Sequence, residues 1–324
     1  MERRPPARHS TRGNHCSSTL HLAQTVRAYF QVDIPFYLVF PLLSSLLYVV
    51  GILFIKQCSA LGVGVWRTSF VSNIATAIMF IPVLGFGGQW QPMIDWWQPA
   101  IVALLFIGGQ VLTFIALQKG DVSVATPVMG LKTVMVALFV VGVLGDEVPL
   151  KLWVSAGFSA AGIALLNRTS KGRHHHVVST IVLSMCAAAS FSLFDVLVQK
   201  FSPVWGIGRF LPAMFVCVSV FSLVFVPFFS APLLAIERAA WKPLGWGAFI
   251  LGLQGLVLIC ALGHFGNATA INVIYSSRGL WSVMAVWLVG HWFANTEKHL
   301  GVDVFRWRLA GAVLMLGAIV LTLV

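Results

Sequence analysis

Long apolar stretches follow one another along most of the chain, separated by short connections that are polar, charged or rich in glycine and proline. About 20 apolar residues are enough for a helix to cross the hydrocarbon core of a bilayer. From residue 36 onward the pattern predicts ten such helices and an all-α polytopic membrane protein. Their expected bounds are 36–56, 67–86, 99–118, 122–144, 150–167, 177–199, 209–230, 246–265, 268–293 and 307–324.

The composition agrees with this pattern and argues against a soluble domain or a nucleic-acid-binding protein. Only 10% of the residues are charged, against about 25% in a typical soluble domain. The net charge of +11 comes from lysines and arginines in the N-terminal region and in the short connections. That distribution is typical of membrane helix flanks, so we expect no nucleic-acid partner. The five cysteines are far apart, and no spacing indicates a metal site or a cofactor.

Polar interruptions divide the chain into parts. Residues 1–35 are polar and arginine-rich, which predicts a flexible basic tail. The longest later interruption lies in the stretch "NRTSKGRHHH", at residues 167–176. It predicts a first five-helix repeat at 36–168, a connecting loop at 169–176 and a second five-helix repeat at 177–324.

The two halves share short sequence patterns in the same order. They pair "KQCSALGVGVWR" with "KFSPVWGIGR", "QVLTFIAL" with "QGLVLICAL", and "SVATPVMGLKTVM" with "NVIYSSRGLWSVM". Because five is an odd number, two consecutive copies must enter the membrane in opposite directions. The sequence therefore predicts an inverted repeat, an arrangement common in secondary transporters with a substrate site near the midplane.

The end of the first half resembles a known family. Residues 116–166 combine an Ala-Leu pair closing the third helix, a proline early in the fourth, a Gly-Asp-Glu stretch before the fifth and glycines within it. This combination is similar to the EamA repeat of the drug/metabolite transporter superfamily, and the resemblance extends loosely over residues 36–324. It implies a ten-helix metabolite transporter that works by alternating access.

Two cations lie inside apolar segments, Lys132 in the fourth and Arg278 in the ninth. From Lys132 either membrane surface is roughly 16–20 Å away, beyond the reach of its stem. A central Lys or Arg costs about 2.5–3.5 kcal/mol on insertion, so each needs a partner, water or an anionic ligand. By contrast, Lys56, Lys200 and Arg67 lie near segment ends, where snorkelling explains them.

Two interpretations of these cations stay open. In the first, Lys132 and Arg278 bind a carboxylate or phosphate of the substrate at the midplane. In the second, they form internal ion pairs, for Lys132 with Asp195 or Asp121. Aligning the shared pattern places Lys132 opposite Trp281, so that the two charges lie one helical turn apart.

Other polar and aromatic residues are candidates for the same site. Gln110 and Gln254 are repeat-equivalent hydrogen-bonding groups, with an interhelical clasp as the alternative. Tyr275 and Trp281 share the face of Arg278 and can stack on a substrate or on the guanidinium. Asn73 and Tyr48 complete the substrate-binding set.

Asp195 and His264 are candidates for coupling transport to protons. Asp195 is the only acidic residue well inside a predicted helix, and its alternative role is the ion pair with Lys132. His264 ends the eighth segment, and its alternative is a loop-facing histidine.

The predicted function is secondary transport of small anionic or zwitterionic, amino-acid-like metabolites, coupled to a proton or a counter-substrate. No GxxxxGK[ST] sequence for ATP binding is present. An intramembrane enzyme and a non-transporting scaffold or receptor are the alternatives, although no HExxH or GxSxG motif supports an enzyme. We expect the bacterial inner membrane and, from the resemblance, cytoplasmic termini. Counting lysines and arginines in short loops favours the opposite orientation. The oligomeric state stays open.

Overall fold

The computed structural model describes residues 35–119, 122–166, 177–289 and 302–323, and within these ranges every regular element is a helix. The basic tail, the 169–176 loop and Asp121 lie outside the described residues, apart from residue 35. The α-helices are α1 (Val39–Ala60), α2 (Val65–Phe80), α3 (Trp97–Lys119), α4 (Val122–Met129), α5 (Lys132–Phe139), α6 (Leu150–Leu166), α7 (Val177–Trp205), α8 (Ile207–Phe221), α9 (Arg238–Phe265), α10 (Ala268–Tyr275), α11 (Arg278–Val289) and α12 (Val302–Leu323). Short 3-10 turns extend α2 through Ile81–Phe86 and α8 through Ser222–Phe228, and a π-helical turn at Val140–Leu144 extends α5.

Eight helical stretches in the described ranges are long and apolar enough to cross a membrane, which makes the chain an all-helical integral membrane protein. They correspond to expected segments one to four, six to eight and ten. The fifth is the apolar 17-residue helix α6. The ninth is divided into α10 and α11. Ten spanning helices therefore stay a prediction.

Helix α9 begins at Arg238, earlier than the expected bound near residue 246. Its first turns are amphipathic rather than uniformly apolar. Ala240 and Leu244 are buried there, whereas Trp241 and Lys242 are exposed. A search for continuous apolar runs misses such a start because its charged positions lower the local hydropathy.

The helices of the first half pack mainly against those of the second. The largest contacts join α1 with α9, α3 with α7, and α6 with α12. Helix α2 also packs on α8 and α9, and α3 packs on α8. A large aromatic core fills the space between these helices and includes Phe80, Phe194, Trp205, Phe210 and Phe215.

The turn between α7 and α8 packs directly on the loop that follows α2. The backbone amide of Gln89 donates to the carbonyl of Trp205 at 2.8 Å. A Cβ on Gly206 would lie 2.6 Å from the Cα of Gly88, so glycine is required for this approach. Arg209 strengthens the junction by donating from Nη1 to the carbonyl of Leu84 at 3.1 Å.

The snorkelling prediction for Arg67 is wrong. Arg67 is only 5% exposed, and its Nη2 donates to the carbonyl of Gly62 at 3.0 Å in the turn before α2. The guanidinium caps a local turn, so it has no need to reach the surface. Lys56 is exposed at the end of α1, and Lys200 extends to the carbonyl of Val143 at 3.0 Å.

Helices α6 and α12 cross at a pair of glycines. A Cβ on Gly162 would lie 2.5 Å from Cγ of Met315 and 3.0 Å from the carbonyl of Gly311. A Cβ on Gly311 would in turn lie 2.7 Å from the carbonyl of Gly162. Small residues let helix backbones approach closely in membranes, which explains the glycines in this part of the sequence.

Candidate functional site

Lys132 and Arg278 each begin a helix directly after an interruption. Residues 130–131 separate α4 from α5, and residues 276–277 separate α10 from α11. In the first interruption the amides of Gly130 and Leu131 bond to carbonyls three residues back, at 3.0 and 3.1 Å. Pro127, which has no N–H, lies just before it. Discontinuous helices of this kind form substrate and ion sites in transporters.

In the second interruption, serine side chains form hydrogen bonds with a backbone carbonyl and with serines of neighbouring helices. Ser276 Oγ donates to the carbonyl of Val273 at 2.6 Å and lies 3.1 Å from Ser159 Oγ of α6. Ser277 Oγ donates to Ser45 Oγ of α1 at 2.9 Å. Both serines are buried, so these bonds fix the interruption against two other helices.

Lys132 is held in an ion pair with Asp195 of α7. The distance from Nζ to Oδ2 is 2.7 Å, and the exposed fractions of the side chains are 16% and 3%. Ser192, one turn earlier on α7, donates from Oγ to the carbonyl of Lys132 at 3.1 Å. Of the two interpretations of Lys132, the structure has the internal ion pair with Asp195.

Arg278 has aromatic partners where Lys132 has a carboxylate. Its guanidinium carbon lies 4.8 Å from the ring centre of Tyr48 and 4.6 Å from that of Tyr275. Nη1 also donates to the hydroxyl of Tyr275 at 3.0 Å. Among the described residues no carboxylate forms an ion pair with Arg278. Ring faces attract a cation without neutralising it, so the guanidinium keeps its charge.

The three charges belong to one electrostatic site. Arg278 is close enough to interact electrostatically with both Lys132 and Asp195. Two cations and one carboxylate give this site a net charge of +1. An anionic group with a single charge would complete it.

Tyr48 and Asp195 each lie three residues after a serine, Ser45 or Ser192. Ser45 accepts a hydrogen bond from Ser277 in the second interruption, and Ser192 donates to the carbonyl of Lys132, directly after the first. The stretches "SLLY" at 45–48 and "SLFD" at 192–195 therefore share a Ser-Leu pair and a similar contact. Sequence reasoning missed this relation, although the shared Ser-Leu pair was a signal that could have found it.

Trp281 lies one turn after Arg278 on α11. Its indole Nε1 is buried and has no hydrogen-bond partner in the described part of the chain. Buried indole N–H groups normally have an acceptor. This donor, on the same helix face as the guanidinium, is therefore available to a bound anionic group.

The remaining polar candidates form interhelical clasps. Asn73 and Gln110 exchange two amide hydrogen bonds at 3.0 and 3.1 Å, and Asn73 also donates to Ser222 Oγ at 2.8 Å. Gln254 donates from Nε2 to Ser44 Oγ at 2.9 Å. For both glutamines the structure has the clasp, and a contact with substrate stays a prediction.

His264 lies away from this cluster in the sequence and faces outward. It occupies the last turn of α9, is exposed, and packs edge-on against Phe265 at 4.7 Å between ring centres. This is the loop-facing alternative. A role for His264 in coupling stays untested.

Comparisons with known proteins decide the family. The EamA-like transporter family matches residues 35–168. A relative from a Sinorhizobium species, named as an uncharacterized transporter in the cobO 3' region, is 32% identical over 113 residues. The match covers 32% of this chain and 80% of the relative. The chain belongs to the EamA-like transporter family.

The likeness in fold to a solved structure extends beyond the residues that the family matches. A solved crystal structure superposes on 90% of this chain and 98% of its own length, with a TM-score of 0.67 and 15% identity. At this identity the likeness concerns the fold alone. The membership indicates a membrane transporter of small solutes, and the EamA resemblance read from residues 116–166 is confirmed.

Proposed function

We propose that this protein is a secondary transporter of small organic solutes that carry one anionic group, such as amino-acid-like metabolites, and that it works by alternating access. The observation that carries the proposal is the guanidinium of Arg278, which is only partly exposed and has no carboxylate partner among the described residues. A charge inside a membrane is costly unless it is paired, and a substrate carboxylate is a suitable partner.

The surroundings of Arg278 suit a carboxylate. The guanidinium presents several donors in a fixed plane and uses one of them on Tyr275. Arg278 also begins α11, where the helix dipole favours a negative charge. With the indole N–H of Trp281 one turn away, the described part of the chain supplies fewer acceptors here than donors.

Asp195 is the coupling group in this proposal. While it is ionised, it neutralises Lys132 and leaves Arg278 as the single uncompensated charge. A proton on Asp195 would release Lys132 and raise the net charge of the site, which changes the affinity for an anion. Exchange against a counter-substrate at the same site is the alternative way of driving transport.

The inverted five-helix repeat is the proposed frame for this movement, with halves at 36–168 and 177–324. Exchanging every helix with the one six places along the chain converts the α1–α9 contact into α7–α3, and α2–α9 into α8–α3. The interruption before α5 likewise corresponds to the one before α11. These correspondences support the proposed repeat, in which the two cations occupy matching places.

The proposed location is the bacterial inner membrane, with cytoplasmic termini as the family resemblance implies. Alkaline phosphatase and green fluorescent protein fused after Val324 test the orientation, because each is active on one side only. Fluorescence without phosphatase activity supports cytoplasmic termini, and the reverse pattern contradicts them.

A transport assay tests the proposal. Purified protein is reconstituted into liposomes preloaded with unlabelled amino acids or monocarboxylates, and counterflow of the matching radiolabelled compound is measured. We expect counterflow of at least one compound by wild type and by Lys56→Ala, whose lysine is exposed at the end of α1. Arg278→Ala should lose it. Arg278→Lys, which keeps the charge, separates loss of function from loss of folding.

A non-transporting scaffold is the second candidate, and the Lys132–Asp195 ion pair is the observation in its favour. In a scaffold each buried cation would need an internal partner. Arg278 has only aromatic ones in the described chain, which favours the transporter. Equal counterflow in wild type and Arg278→Ala would overturn the site, and no counterflow of any compound would favour the scaffold.

A further inference from the structure

The N-terminal part of α9 carries a groove on its outer face. The groove has a volume of about 500 Å³ and is lined by Trp241, Lys242, Gly245, Trp246 and Phe249. The rings of Trp246 and Phe249 meet edge to face at 6.1 Å between centres and form one wall. The lining is almost entirely apolar apart from Lys242.

Gly245 forms the floor, and packing does not explain it. A Cβ at this position would meet no atom within 4 Å. Two residues later, Gly247 faces the protein, where a Cβ would lie 2.7 Å from Cδ1 of Ile55. Glycine costs about 1 kcal/mol relative to alanine in a helix interior. The space over Gly245 is therefore open and lies within the groove, where it leaves room for a ligand.

Lys242 lines the groove, and a second cation, Arg238, precedes it on α9. Arg238 and Lys242 are one turn apart on the same face of α9, and both are exposed. Glu237 precedes them and is also exposed. None of the three forms an ion pair within the described ranges. These three residues thus have a net charge of +1, equal and opposite to one phosphodiester.

The length of α9 sets the depth of these groups. Its 28 residues span about 42 Å, longer than a hydrocarbon core of roughly 30 Å. Because tryptophan and basic residues are favoured in the headgroup region, we expect the first turns to extend into it. Phe249, eleven residues further along than Arg238, is then expected beside acyl chains.

We propose that this groove binds one anionic phospholipid. Its phosphate contacts Arg238 and Lys242, and an acyl chain lies over Gly245 between Trp241, Trp246 and Phe249. The charge favours this ligand over a zwitterionic lipid, and the apolar lining suits an acyl chain. The proposal is independent of the transport site.

Native mass spectrometry of the full-length protein tests the proposal, with phosphatidylglycerol and phosphatidylcholine of identical chains added in equal amounts. We expect wild type to retain one phosphatidylglycerol with a preference of about fivefold. The double variant Arg238→Gln/Lys242→Gln should lose the preference, because it keeps the groove and removes the charge. Gly245→Leu should lose the bound lipid, because it fills the floor.

Two control variants match these changes. Gly157→Leu also places a leucine at an exposed helical glycine with no atom near its Cβ, and Lys56→Gln removes an exposed cation elsewhere. Both should bind lipid as wild type does. Equal retention of the two lipids by wild type, or an unchanged preference in Arg238→Gln/Lys242→Gln, would overturn the proposal. A dimer that Gly245→Leu dissociates would also overturn it, since a second copy would then occupy the groove.

Discussion

Tyr48 and Asp195 each contact a partly exposed cation from a position three residues after a serine that hydrogen-bonds to an interrupted helix. One supplies a ring face to Arg278 and the other a carboxylate to Lys132. The two cations thus have a similar local arrangement around them and chemically different partners. Because only Lys132 has a carboxylate partner, Arg278 is the single uncompensated charge in the described site.

Changing Tyr48→Asp should make the Arg278 site a copy of the Lys132 site. The new carboxylate would neutralise the guanidinium, so we expect anion counterflow to fall at least tenfold, because an ion pair must be broken before substrate binds. The melting temperature should not fall, since the cation gains a partner. Counterflow and thermal unfolding in detergent measure the two effects.

Tyr48→Phe is the matched control for this change. It retains the ring that lies 4.8 Å from the guanidinium carbon of Arg278, so counterflow and stability should stay close to wild type. Full transport by Tyr48→Asp would show that the charge of Arg278 is not used for binding.

The Lys132–Asp195 pair should behave as a coupled unit in stability. Lys132→Met or Asp195→Leu alone leaves one charge buried without its partner, and each should lower the free energy of unfolding by about 3 kcal/mol. The double variant should recover most of this loss, because neither charge remains. Chemical unfolding of the four proteins in detergent gives the cycle, and additive losses would contradict the coupling.

Removing the Asn73 amide should destabilise the fold. Asn73→Ala deprives Gln110 and Ser222 of bonds at 2.8–3.1 Å in a buried setting, at a cost of about 1–3 kcal/mol. Gln91→Ala removes an exposed amide bond to the carbonyl of Val204 and should cost less than about 0.5 kcal/mol. Thermal shifts of both variants under the same conditions test the difference.

The α6–α12 crossing should not tolerate a larger side chain at Gly162. Leucine there would overlap Met315 and the backbone of Gly311, so Gly162→Leu should lose about 1–3 kcal/mol or fail to fold. Gly157→Leu lies on the same helix in open space and should be nearly neutral. Size-exclusion profiles and melting temperatures distinguish the two, and equal profiles would contradict this packing.

The sequence predicts the apolar helices, because hydropathy can be read directly from it. It also predicts the pairing of Lys132 with Asp195 as one of two alternatives, because an acidic residue inside an apolar segment is rare and easily seen. It does not predict the interruptions. Alignment of the shared "GL" and "VM" letters places Lys132 opposite Trp281, whereas in the structure both cations begin helices directly after an interruption. Serines that form hydrogen bonds with other helices contribute to the second interruption, and such bonds leave no local pattern in the sequence.

Arg67 illustrates the same limit. Its position near a segment end favours snorkelling, but the turn at Gly62 offers a carbonyl at 3.0 Å. Which carbonyls stay free depends on how the chain turns, and a one-dimensional pattern does not contain that information.

The different partners of the two cations also matter while the chain is being made. Synthesis proceeds from the N-terminus, so Tyr48 already exists when Arg278 leaves the ribosome, and the arginine can enter the bilayer beside a completed α1. Lys132 emerges before its counter-charge, Asp195. The first half must therefore carry an unpaired lysine, at about 2.5–3.5 kcal/mol, until α7 arrives. The order of translation makes the ion pair a late step of assembly that joins the two halves.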